Sequence, residues 1–202
     1  MKLGTLAAAA ALAALIGAGP AEASVTIVIT QVGPNVVASG SGEIDLAGLD
    51  PLTTGAISAN GIIWPDVAYI LVGPSGAVAE FTGASGPASM GAGGIALGAT
   101  PVGNEFGVSG HVYSFGPVIY VPEGYMSDTP LSGSSTFDNQ TFKSLGLTPG
   151  KYIYTWGSGD DADSLTVLVG VPGPPIWAMM LTGFAGLGYA AYRARKRPAA
   201  IA

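Results

Sequence analysis

The sequence predicts an all-β fold: an antiparallel β-sandwich, jelly-roll-like, flanked by an N-terminal signal peptide and a C-terminal transmembrane helix. Three observations predict it. Between residues 24 and 170, short runs of β-branched and aromatic residues alternate with polar ones at a period of two. The chain holds 32 Gly and 15 Pro among 202 residues, and many fall between those runs as turn signals. No stretch of this region carries the 3.6-residue apolar period of an amphipathic helix.

The elements follow in order. "SVTIVITQ" sets Val25, Ile27 and Ile29 on one face and Thr26 and Thr30 on the other. Gly33-Pro34-Asn35 is a turn, and "VVASGSGEIDL" alternates again, so the two runs predict a hairpin. "VAYILV" (67–72) is apolar on both faces, as a central strand is. "AVAEFT" (77–82) follows Gly73-Pro74-Ser75-Gly76, which predicts a second hairpin. Residues 83–104 are glycine-rich without a period and predict a long surface loop. "HVYSF" (111–115) and "VIYV" (118–121) flank Gly116-Pro117, and residues 123–140 predict a polar connection. "KYIYTW" (151–156) and "SLTVLV" (164–169) close the domain. Tyr152, Tyr154 and Trp156 share one face, for Leu165, Val167 and Val169 to oppose. That makes eight strands, and Gly/Pro-punctuated strands of this kind build sandwiches.

The two ends are addresses rather than fold. Residues 1–23 combine Lys2, an apolar stretch from Leu6 to Ala18, a Gly19-Pro20 break and small residues at Ala21 and Ala23. This order predicts a signal peptide cut after Ala23 by signal peptidase. At the other end, Ile176–Tyr192 is 17 residues without a charge. As a helix it spans roughly 26 Å, enough for a bilayer core. Arg193, Arg195, Lys196 and Arg197 follow and predict a stop on the cytoplasmic side, with Trp177, Tyr189 and Tyr192 suited to the interfaces.

This tail resembles the PEP-CTERM sorting signal of Gram-negative bacteria. The resemblance rests on Pro172-Gly173-Pro174, the apolar span beginning Trp177-Ala178-Met179-Met180, and the basic cluster, and covers about residues 171–197. Gly173 stands where that family has Glu. The resemblance implies a motif at 171–175, a transmembrane span at 176–192 and a basic tail at 193–202. It implies exosortase as a processing partner, an inner-membrane stage, and then the cell surface or an exopolysaccharide matrix such as a biofilm.

Charge narrows the domain's partners. From residue 24 to residue 170, twelve acids face only Lys143 and Lys151, a net charge of −10. So acidic a body repels phosphate backbones, and no nucleic acid is expected. With no cysteine there is no disulfide framework and no thiol chemistry.

No catalytic signature emerges, and the domain reads as non-enzymatic. His111 is the only histidine, and the chain has no Gly-x-Ser-x-Gly elbow to accompany it. "GAGGIA" (91–96) lacks the flanking strand and helix that a dinucleotide motif requires. Asp160, Asp161 and Asp163 in "GSGDDADS" offer oxygen ligands to calcium, the one cofactor considered, although their spacing fits no EF-hand and suits a solvated turn equally well. Glu43, Glu80, Glu105 and Glu123 are the acids from which a glycosidase pair would be drawn. The expected function is that of an exported surface or matrix protein. The alternatives are a glycan- or calcium-binding module and, behind it, an exported polysaccharide hydrolase.

Overall fold

The chain's structure is a computed structural model that describes residues 24–113 and 116–170. Among the described residues, thirteen strands form two sheets. In chain order they are β1 (Ser24–Val32), β2 (Asn35–Gly42), β3 (Asp50–Ile57), β4 (Ile62–Trp64), β5 (Tyr69–Val72), β6 (Gly76–Thr82) and β7 (Ala96–Leu97). There follow β8 (Thr100–Gly103), β9 (Phe106–Tyr113), β10 (Gly116–Pro122), β11 (Leu131–Phe137), β12 (Gly150–Trp156) and β13 (Asp163–Val169). One helical turn, α1 (Phe142–Leu145), lies between β11 and β12. The six-stranded sheet runs β12-β13-β1-β2-β11-β8 and the seven-stranded sheet β3-β6-β10-β9-β5-β4-β7.

The period-two pattern builds the main core as expected. Val25, Ile27 and Ile29 of β1 are fully buried, as are Val36 and Ala38 of β2 and Leu165, Val167 and Val169 of β13. They meet Ile63, Ile70, Val72, Phe106, Val108, Ile119 and Val121 from the other sheet. In the closing hairpin Tyr154 lies opposite Leu165 and Tyr152 opposite Val167, as expected, whereas Trp156 lies opposite Asp163 and Val169 opposite Gly150. A polar tie joins the layers: the Gly73 amide donates to Ser135 Oγ at 3.0 Å, and that hydroxyl donates back to the Gly73 carbonyl at 3.3 Å.

Three expectations are corrected. First, the sheets are not wholly antiparallel: β1 runs parallel to β13, Ser24 opposite Ser164 and Ile29 opposite Val169. Parallel neighbours need a crossover, and here the crossover is everything between the first strand and the last. Consecutive strands pair as hairpins within a sheet (β1–β2, β4–β5, β9–β10, β12–β13), which departs from the two-Greek-key order of a jelly roll. Second, the runs at 67–72 and 77–82 do not form a hairpin. β5 pairs with β4 and β9, whereas β6 pairs with β3 and β10. Gly73, at φ +93°, turns the chain away: a Cβ there would lie 1.9 Å from the Asn104 carbonyl oxygen. Third, the segments read as loops at 83–104 and 123–140 contain β7, β8 and the whole of β11.

The seven-stranded sheet is strongly curled. Laid flat, it would separate β3 from β4 by five strand spacings, roughly 24 Å. The chain from Ile57 to Ile62 reaches at most about 18 Å, so the sheet must bend to bring the two strands together. Its concave face encloses a second, smaller core of Ile62, Leu71, Val78, Val118 and Tyr120, with Ile57, Ala59, Trp64 and Tyr69 packed at its margin.

Candidate functional site

The outer face of the six-stranded sheet carries a shallow trough of about 460 Å³. Its floor is built by cross-strand pairing. Ser39 lies opposite Ser134 and Ser41 opposite Ser132, which makes a two-by-two grid of serines on β2 and β11. Strand geometry spaces such a grid about 4.8 Å across and about 6.7 Å along. Thr26 and Val28 of β1 form one wall, registered with Ser41 and Ser39, and Val102 of β8 forms the other, opposite Ser134.

The trough exists because the sheet is thin here on both sides. Between the serines, Gly40 and Gly133 pair with each other and face inward, where the Phe106 ring of the opposite sheet rests on them. A Cβ at Gly40 would lie 2.7 Å from that ring. Small residues outside make the floor, and small residues inside admit the aromatic ring.

Among the described residues, no charged side chain lines the trough. Among the described residues, no hydrogen bond engages the hydroxyls of Thr26, Ser39, Ser41, Ser132 or Ser134, so each retains a donor and acceptor capacity for something outside the chain.

The concave face of the other sheet is its chemical opposite. Tyr69 and Tyr120 stack there with ring centroids 5.2 Å apart, and Ser109 Oγ lies 3.3 Å from Tyr120 Oη. Burial, first, and the neighbouring Tyr120 raise the Tyr69 phenol well above its ordinary range. Glu80 and Glu105 are both buried. Neither carboxyl oxygen of Glu105 has a hydrogen-bond partner among the described residues. Burial pushes this carboxyl up to about 8; the nearby Gly76 amide acts in the lowering direction without closing a well-formed bond.

No protein-family model, no curated protein and no solved structure matches the chain.

Of the residues singled out from sequence, Asp160 and Asp161 sit exposed on a 3-10 turn (Gly159–Asp161). Asp163 turns inward instead. Its Oδ2 accepts the Asp45 amide at 2.7 Å and its Oδ1 accepts the Ser164 amide. Burial pushes its carboxyl up to about 6 against those two bonds. The acidic run is therefore split between solvent and a structural tie. Among the described residues, no three His, Asp or Glu side chains gather to hold a metal ion. His111 is exposed on β9, Glu43 is half-buried after β2 and Glu123 is exposed beyond β10; none of the four glutamates lines the trough. Ala21, Ala23, Pro172, Gly173, Pro174, Arg193, Arg195, Lys196 and Arg197 lie outside the described residues. Among the described residues no helix is long and apolar enough to cross a membrane; the segment 176–192 lies outside them.

Sequence reasoning missed the trough because half of its floor comes from β11. The inward positions of that strand are Leu131, Gly133, Ser135 and Phe137, so its apolar period is diluted. A signal was present: serine at 132 and 134 repeats the two-residue spacing of Ser39 and Ser41.

Proposed function

We propose that the chain is an exported, non-catalytic protein of a Gram-negative cell surface or extracellular matrix. Residues 1–23 direct export and are removed. The span at 176–192 halts in the inner membrane with Arg193, Arg195, Lys196 and Arg197 on the cytoplasmic side. The Pro172-Gly173-Pro174 motif presents the tail to an exosortase-type enzyme, and residues 24–170 remain outside as a β-rich module.

One observation carries this reading: the order of the C-terminal segment, with a proline motif, an uncharged stretch long enough for a bilayer core and four basic residues within five positions. The signal-peptide layout supports it, and an all-β domain that carries a hydroxyl-lined trough on one face is compatible with life in a polysaccharide layer.

The test is the C-terminal mass of the protein from its native host, with and without the exosortase, together with its distribution among cell fractions. The reading expects a chain shortened near residues 172–175 at the surface or in the matrix, and a full-length membrane-bound chain when the enzyme is missing. An intact, freely soluble chain absent from every envelope fraction overturns it.

A further inference from the structure

We propose that the trough on the six-stranded sheet binds a single chain of an uncharged polysaccharide laid along β2 and β11. For its setting the proposal rests on the surface reading above; its chemistry comes from the trough itself.

The floor is a serine grid with unused hydroxyls. A hydroxyl donates one hydrogen bond and accepts two, and a sugar hydroxyl has the same capacity, so grid and polymer can exchange bonds in either direction. The walls add what a sugar ring also needs. Val28 and Val102 offer methyl groups to its C–H faces, while Thr26 offers both a methyl and a hydroxyl.

From β1 to β8 the trough spans three strand spacings, about 14 Å, which suits one polymer strand rather than a sheet or a folded protein. Its 460 Å³ lies within the range of small-ligand clefts, room for a short stretch of the chain.

Charge selects among glycans. Among the described residues, no ionisable side chain lines the trough. The surrounding domain carries twelve acids against two lysines, so uronate- or sulfate-bearing polymers are repelled. A polycation would need carboxylates in the lining, and the described residues place none there. An open, hydroxyl-lined site binds weakly per contact; a polymer with many equivalent stretches, meeting many copies of the domain, gains by effective concentration.

The experiment uses the full chain in detergent and measures its retardation in native gels cast with dextran, mixed-linkage β-glucan or galactomannan as neutral probes and with alginate as the anionic one. Retardation by at least one neutral polymer, changed less than about twofold between 0.1 and 0.5 M NaCl, is expected, with none by alginate; binding that is mainly electrostatic falls steeply with salt. The double substitution Ser39→Val and Ser134→Val should weaken neutral binding at least about tenfold with an unchanged melting temperature, since valine favours strands. Val102→Asp places a charge on the wall without touching the floor and should weaken binding as well.

Binding to alginate alone, no binding to any of the three neutral polymers, or undiminished binding by both variants overturns the proposal. Fractionation of the host reads location separately. An envelope-bound chain that ignores neutral glycans removes the trough's role and leaves the location standing. Glycan binding by a chain absent from the envelope does the reverse.

Discussion

Two sheet faces of this domain have opposite fates. The outer face of the six-stranded sheet stays open, lined by serine, threonine and valine. The concave face of the seven-stranded sheet closes on itself around Leu71, Val78, Val118 and Tyr120 and traps two glutamates. Both are period-two strands, so the difference lies in side-chain volume and curvature. Small hydroxyl residues leave a floor that water, or a polyol, can reach. Large apolar residues on a curled sheet exclude water, and Glu105, buried there, is held in a medium that disfavours its charge. Residues 105 and 106 show the split in two consecutive positions: Phe106 enters the main core beneath the trough, while Glu105 is buried beside Gly76.

The sharpest way to break this contrast is through pH. Glu105 is raised in the folded chain to about 8 from 4.5, and Asp163 to about 6 from 3.8. An acid whose pKa is raised by folding binds its proton more tightly in the folded state. Its stabilising contribution is therefore complete below the unfolded pKa and is lost as pH climbs through the folded one. The chain should be most stable near pH 4–5 and lose up to ~4 kcal/mol by pH 8 on account of Glu105. Glu105→Gln should flatten most of that slope in urea melts taken at several pH values; an unchanged slope would place the acid in contact with water.

A smaller effect is expected beneath the trough. Gly40→Ala pushes a methyl group into the Phe106 ring and should cost about 1–3 kcal/mol, read as a lowered denaturation midpoint at constant m-value. A neutral result would mean that the ring is free to move aside. The smallest effect belongs to the open floor: Ser39→Val should change stability by no more than about 0.5 kcal/mol, because the side chain is exposed and no hydrogen bond engages its hydroxyl. A loss of several times that size would show the serine grid to be part of the core after all.

Much of the fold was legible because burial writes a period of two. Ile27 and Ile29, Val36 and Ala38, and Leu165 and Val167 face inward as their alternation predicts. Strands without that contrast were invisible. β3 is exposed at seven of its eight positions and has no buried face to mark it. β7 and β8 are too short for a period, and β11 buries a glycine and a serine where an isoleucine would have signalled a strand. The pairing of β5 with β9 rather than β6 depends on contacts far apart in sequence, which local turn residues do not encode. The same limit applied to the sites. The acidic run at 160–163 was conspicuous by composition, yet its third carboxylate serves as an acceptor for the Asp45 and Ser164 amides. The trough, made of unremarkable serines from two distant segments, needed the register to become visible.

The parallel pairing of β1 with β13 bears on the order in which this chain can mature. The first described strand lies between its hairpin partner β2 and a neighbour made 140 residues later. Until that neighbour is delivered, one edge of Ser24–Val32 offers its backbone to any stray chain. A chain delivered amino end first therefore keeps this sheet unfinished until β13 arrives, and that last described strand acts as the latch.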